Sequence, residues 1–119
     1  VRRLAREVPV SNLILGVGSY GYDWPAVPKA GKAEYIPTPA ALQRASAVGA
    51  ATTWDGENQE ALYTYDWGGV PRTVRFLNGA AVRLRAGIAR KYGLRGIAFW
   101  RLGFEDRPAG EEMSLSILH

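Results

Sequence analysis

Two apolar runs frame what this chain can fold into. "LILGVG" (13–18) and "GIAFW" (96–100) are nearly continuous in apolar and small residues, with no alternation of polar positions. A strand with one wet face alternates. A strand covered on both faces reads as these two do, the pattern of a parallel sheet in an α/β fold. Parallel neighbours need a crossover, usually a helix. The segment before the second run supplies one: Asn78 suits a helix N-cap, Leu77, Ala81, Leu84, Ile88 and Tyr92 recur at helical spacing, and Gly93 supplies a stop. Each run leads into aromatic and charged residues, "SYGYDWP" after the first and "RLGFED" after the second. Open α/β sheets and α/β barrels place their sites at such strand ends.

The remaining segments read as a small α+β unit between these strands. "VRRLAREVP" (1–9) has the spacing of a helix tail ended by proline, and the proline-rich stretch 25–37 reads as a loop. Thr38-Pro39 opens a helix, with the threonine hydroxyl as its cap, Leu42, Ala45 and Val48 as its buried stripe and Gly49 at its end. Strands are expected over 50–54, 61–67 and 70–76, the last two joined by a tight turn at "DWGGV". The tail "GEEMSLSILH" carries no decisive pattern. With 119 residues, one domain is the ceiling.

Composition removes several kinds of chemistry. There is no cysteine, and the lone histidine is His119. Thiolate nucleophiles, disulfides, Cys-based zinc and His triads are therefore excluded, and neither a metal nor a cofactor is expected. The net charge of +4 is spread along the chain without a basic block, which argues against nucleic acid as a partner. No apolar run approaches the ~18 residues of a membrane span, and the basic first residues lack the apolar stretch of a signal peptide. A start without methionine fits a processed product or an excised piece. Gly16, Gly18 and Gly21 match a dinucleotide-loop spacing, but the "YDWPAVPKAG" that follows cannot open the helix such a loop requires.

"LILGVGSYGYDWP", an α+β insertion, and then "VRFLNGAAVRLRAGIARKYGLRGIAFWRLGFED" together resemble the C-terminal portion of the glycoside hydrolase family 18 barrel. The similarity covers about residues 1–107 and is strongest to bacterial variants, the spore and cell-wall type and the type fused to polysaccharide deacetylase and glycosyltransferase domains. The resemblance implies an α/β fold containing the last strands of a (β/α)8 barrel, incomplete as a barrel. Residues 12–18 and 96–101 would be the seventh and eighth strands, with helix 79–92 between them. The partial barrel would take 1–32 and 77–107, the insertion subdomain 33–76 and the tail 108–119.

By the same resemblance, Trp100 floors the subsite where the sugar is cleaved. Tyr20, Tyr22, Asp23 and Trp24 line the neighbouring strand end, and Arg101 and Glu105 lie on the rim above Trp100. These seven are the candidate substrate-binding residues, and the glycan implied contains N-acetylglucosamine, as in peptidoglycan, chitin or exopolysaccharide. A cell-envelope or extracytoplasmic setting goes with it. The family's acid ends a D-x-x-D-x-D-x-E motif that these residues do not contain, so no catalytic residue is assigned and the isolated piece is expected to be inactive. Its open strand edges would be covered by the rest of a barrel or by self-association.

Plainer roles stand beside these. Asp23 also suits a turn before Pro25, and Glu105 and Asp106 suit an acidic loop pairing with Arg101 or Arg107. Tyr63, Tyr65 and Trp67 share one strand face, either core or cleft wall. The alternative function is a non-catalytic glycan-binding or protein-interaction module.

Overall fold

The computed structural model describes residues 1–111. The chain forms β1 (Ile14–Gly18), β2 (Tyr20–Pro25), β3 (Glu34–Pro37), α1 (Thr38–Ala47), β4 (Thr53–Asp55), β5 (Glu60–Trp67), β6 (Val70–Phe76), α2 (Gly79–Lys91) and β7 (Gly96–Trp100). A helical turn occupies 107–111, so the expected tail begins in helix, and its residues 112–119 lie outside the described part. The fold is mixed α/β. β1 and β7 pair in parallel, from Ile14 opposite Gly96 to Gly18 opposite Trp100. The other strands form an antiparallel sheet in the order β3-β2-β6-β5-β4.

Both apolar runs are strands and α2 connects to β7 as the pattern predicts, yet the parallel pair is covered on one face only. Val17 is buried with Val82 of α2 and Ala109, and Leu15, Ile97 and Phe99 pack against them. The opposite face carries Ile14 and Trp100, both exposed. The outer edges of β1 and β7 have no strand neighbour among the described residues.

The antiparallel sheet departs further from expectation. The "YGYDWP" stretch is a strand in its own right, paired with β3 on one side and β6 on the other. The sheet therefore starts at Tyr20, and a boundary at residue 33 would cut through it. The loop expected over 25–37 closes into β3 at its end, where Tyr35 and Ile36 pair with Tyr22 and Gly21. Residues 1–12 contain two short 3-10 turns, Leu4–Arg6 and Val10–Asn12, and no buried side chain, where a helix tail was expected.

Alternation divides this sheet into two faces. Ile36, Ala61, Tyr63, Val74 and Phe76 face α1 and form the core with Ala41 and Ala45. The Tyr63 hydroxyl donates to the Ala41 carbonyl at 2.8 Å, and burial pushes this phenol up to about 12. Alanines make the contact, so α1 lies close to the sheet, and Leu42 and Val48 of the expected stripe are exposed. α2 behaves alike: Ala81, Val82, Ala86 and Ala89 are buried, while Leu84 is exposed. Asn78 caps α2 as expected, its side chain accepting from the Ala81 N–H at 3.1 Å. The β5–β6 hairpin turns at Gly68 and Gly69, both at positive φ, and the Asp66 carboxylate accepts from the Gly69 N–H.

Candidate functional site

The two sheets share one continuous piece of chain. Ser19 is the single residue between β1 and β2. Its N–H donates to the Trp100 carbonyl at 2.9 Å, and its carbonyl accepts from the Thr38 N–H at 3.2 Å. The Thr38 hydroxyl donates to the Leu77 carbonyl at 2.7 Å and accepts from the Ser19 hydroxyl at 3.4 Å. Pro37 occupies the N-cap position of α1 without a side-chain cap, so the Thr38 hydroxyl fastens the sheets together and does not cap the helix. Both hydroxyl residues are fully buried. Thr38→Val, which leaves the Leu77 carbonyl without its donor, is expected to cost about 1–3 kcal/mol, read as a lowered urea midpoint.

This junction sets an aromatic surface beside the end of β7. On β2, Tyr20, Tyr22 and Trp24 point away from the core, and Tyr35 of β3 stands opposite Tyr22 on the same face. The ring centroids are separated by 5.6 Å for Tyr22–Trp24, 5.9 Å for Tyr22–Tyr35 and 5.1 Å for Tyr20–Tyr35. Phe104 extends the surface, 6.1 Å from Tyr35, and the Arg101 guanidinium lies 4.2 Å from the Phe104 ring centre. Trp24 is 48% exposed and Trp100 61%. Large aromatic area left in water on a packed strand is the informative exception to burial. Burial, together with the neighbouring Tyr20 and Tyr22, holds the Tyr35 phenol above its ordinary range against the pull of Arg101.

The same face carries charge. Arg75 of β6, opposite Tyr22, donates to Asp55 at 2.7 Å and Glu60 at 2.8 Å. The Arg75 hydrogen bond, with further donors from Asn58, holds the Asp55 carboxyl far below the usual carboxylate range.

Of the seven sequence candidates, Tyr20, Tyr22, Trp24, Trp100 and Arg101 lie around this surface. Asp23 lies elsewhere. Alternation turns it to the helix side of β2, where it is 0% exposed, and it pairs as a strand residue with Val74 and Glu34 instead of bonding turn amides. Arg44 donates to it at 2.6 Å, Arg72 at 2.7 Å and the Tyr65 hydroxyl at 2.5 Å. Burial pushes this carboxyl up, but the hydrogen bonds from Tyr65, Arg72 and Arg44 outweigh it, and the group lies below its ordinary value. Such enclosure leaves no oxygen of Asp23 for a sugar.

Glu105 is partly buried, with Oε2 unpartnered among the described residues. Its neighbour Asp106 pairs with neither Arg101 nor Arg107: it accepts from the N–H of Gly79, the first residue of α2, at 2.8 Å and from the N–H of Ala109 at 3.1 Å. Tyr63, Tyr65 and Trp67 face the helix side. Tyr63 is core, Tyr65 holds Asp23, and Trp67 is exposed near the hairpin. Tyr35 and Phe104 were absent from the candidates. Tyr35 was hidden in a proline-rich stretch, and its only signal was the short Tyr35-Ile36 alternation before Pro37. Among the described residues, no group of three or more His, Cys, Asp or Glu side chains is placed to hold a metal ion, and no helix is long and apolar enough to cross a membrane.

Comparison with known proteins places this arrangement. No family model matches the chain. A Bacillus subtilis (strain 168) protein provisionally named a sporulation-specific glycosylase is 32% identical over 106 residues, which cover 86% of this chain and 25% of that protein. The cortical fragment-lytic enzyme of the same organism is 27% identical over 82% of this chain and 23% of its own length. The spore cortex-lytic enzyme SleL of Bacillus megaterium QM B1551 superposes with a TM-score of 0.81 at 26% identity, over 97% of this chain and 27% of that one. A class V chitinase mutant from Nicotiana tobaccum, solved in complex with NAG4, shares the fold with a TM-score of 0.74 at 17% identity, over 95% of this chain and 37% of that one. The chain thus has the fold of a segment of chitinase-like and spore cortex-lytic glycosidases. It spans about a quarter of the length of the curated relatives it matches.

Proposed function

We propose that this chain is the cleft-lining part of a family 18-like glycosidase that acts on N-acetylglucosamine-containing polysaccharide. The observation that carries the reading is the run of rings from exposed Trp24, Tyr22 and Tyr35 to half-buried Tyr20 and Phe104, beside exposed Trp100 at the end of β7. Sugar rings present apolar CH faces, and rigid Trp and Tyr side chains cover them at low entropic cost. In this reading Trp100 floors the cleavage subsite, and the β2–β3 aromatics form one wall. Arg101, held over Phe104, presents a donor at the rim. Asp23 is a positioning residue that keeps β2 in place against α1 and β6 from its far side.

The hydrolysis is of the substrate-assisted kind, in which the N-acetyl oxygen of the sugar attacks the anomeric carbon, an exception to the two-carboxylate scheme. The proton donor for the leaving oxygen is not assigned to any residue here. It belongs to the remainder of the barrel, of which β1 and β7 are two strands with open edges. The alternative, a glycan-binding module without hydrolysis, uses the same aromatic surface.

Titration with an N-acetylglucosamine tetramer tests the reading. Trp100→Ala and Trp24→Ala each remove an exposed ring, so the fold is retained and affinity is expected to fall about tenfold, ~1.4 kcal/mol. Equal binding by the parent chain and both variants would reject the aromatic surface as the glycan site. Restored hydrolysis on joining this piece to an acid-bearing barrel segment supports the glycosidase, and binding without hydrolysis in that longer chain supports the module.

A further inference from the structure

A recessed site lies on the opposite, helix-covered side of the antiparallel sheet. It is a cavity of about 510 Å³, within the range of small-ligand sites, lined by Lys32, Glu34, Arg44, Tyr65, Trp67 and Arg72. Two properties set it apart from the rest of the surface. Two of its cations are held in fixed positions: Asp23, fully buried beneath, receives Arg44 and Arg72, with the Tyr65 hydroxyl beside them. Its rim carries Trp67, 68% exposed, the most exposed tryptophan of the chain.

The charge balance favours an anion. Lys32, Arg44 and Arg72 supply three positive charges against two negative ones from Glu34 and Asp23. Arg44 bridges both carboxylates, whereas Lys32 has no carboxylate partner among the described residues. A ring with an apolar face and one attached carboxylate satisfies both features, its face on the Trp67 indole and its charge on Lys32 and Arg72.

We propose that this cavity binds a carboxylate-bearing sugar, as a site separate from the aromatic surface on the other face of the sheet. No covalent step is involved. The site would hold an acidic residue of a polysaccharide while the opposite face engages neutral rings.

The test is an NMR titration of the chain with trigalacturonate, followed through the four tryptophan indole N–H signals. Maltotriose serves as the uncharged control and inorganic phosphate as the anion without a ring. Trigalacturonate is expected to shift the Trp67 indole and the Lys32 amide and to leave Trp24 and Trp100 unmoved. Trp67→Ala and Lys32→Ala, both at exposed positions, should each weaken it about tenfold. Equal shifts with maltotriose overturn the role of charge, equal shifts with phosphate overturn the role of the ring, and no shift at Trp67 overturns the site. Because the N-acetylglucosamine tetramer is followed at Trp24 and Trp100, failure of one site is read independently of the other.

Discussion

Replacing Gly21 by alanine is expected to disrupt the antiparallel sheet. A Cβ at this position would lie 1.8 Å from the Arg75 carbonyl oxygen and 2.6 Å from the Phe76 Cα, both backbone atoms of the neighbouring strand β6. A flexible side chain could swing aside, but a paired strand cannot. β2 would have to leave either β6 or the core that Phe76, Ile36 and Val74 share with α1. Overpacking costs about 1–3 kcal/mol when side chains give way and more when backbone must move, so about 4 kcal/mol is expected here, a large part of a small domain's ~5–15. Gly16→Ala is the matched control, since a Cβ added there would meet nothing within 4 Å, and it should change stability by less than about 1 kcal/mol. Urea unfolding followed by circular dichroism reads both variants. Similar midpoints for the two would refute the steric account.

The second large effect belongs to Asp23. One buried carboxylate orders β2, α1, β5 and β6 through Arg44, Arg72 and Tyr65. Asp23→Asn removes the charge but keeps the volume, leaving Arg72 without its counter-ion and Arg44 with Glu34 alone. Breaking a buried pair costs about 3–5 kcal/mol, and because the Arg44 side chain is 29% exposed and that of Arg72 14%, about 2–4 is expected at pH 7. The effect has a pH signature. The folded carboxyl lies below its ordinary value, so the unfolded chain binds its proton first as pH falls. The stabilisation is therefore complete above about pH 4, the ordinary carboxylate value, and is lost as pH drops from there through the lowered folded value. The stability gap between parent and Asp23→Asn should be widest near neutrality and narrow below about pH 4. A gap independent of pH would show that the lost stability is not the carboxylate's.

What was legible in the sequence follows from how local each determinant is. The β1 and β7 runs, the Asn78 cap and the glycine pair of the β5–β6 turn all act within a few residues, and each stands where the sequence puts it. β3 is only four residues long and ends at a proline; it exists because β2 offers it an edge, which no local pattern records. The faces of α1 and α2 were misread for a related reason. Amphipathic spacing favours the largest apolar residues, whereas close approach of helix to sheet selects alanine. Tyr20, Tyr22 and Trp24 share a face by simple alternation, and that same alternation places Asp23 behind them. Its partners stand 21, 42 and 49 residues away, beyond any motif.

Asp106 has a consequence for the loop that leads to it. Its carboxylate caps the first residue of α2 and the helical turn after the loop together, so residues 101–105 are tethered at one end by β7 and at the other by two helix N-termini. The Arg101–Phe104 pair is thereby ordered in the free protein. A ligand that met this rim would find groups whose rotational freedom was already given up on folding, with little ordering of the loop still to be done.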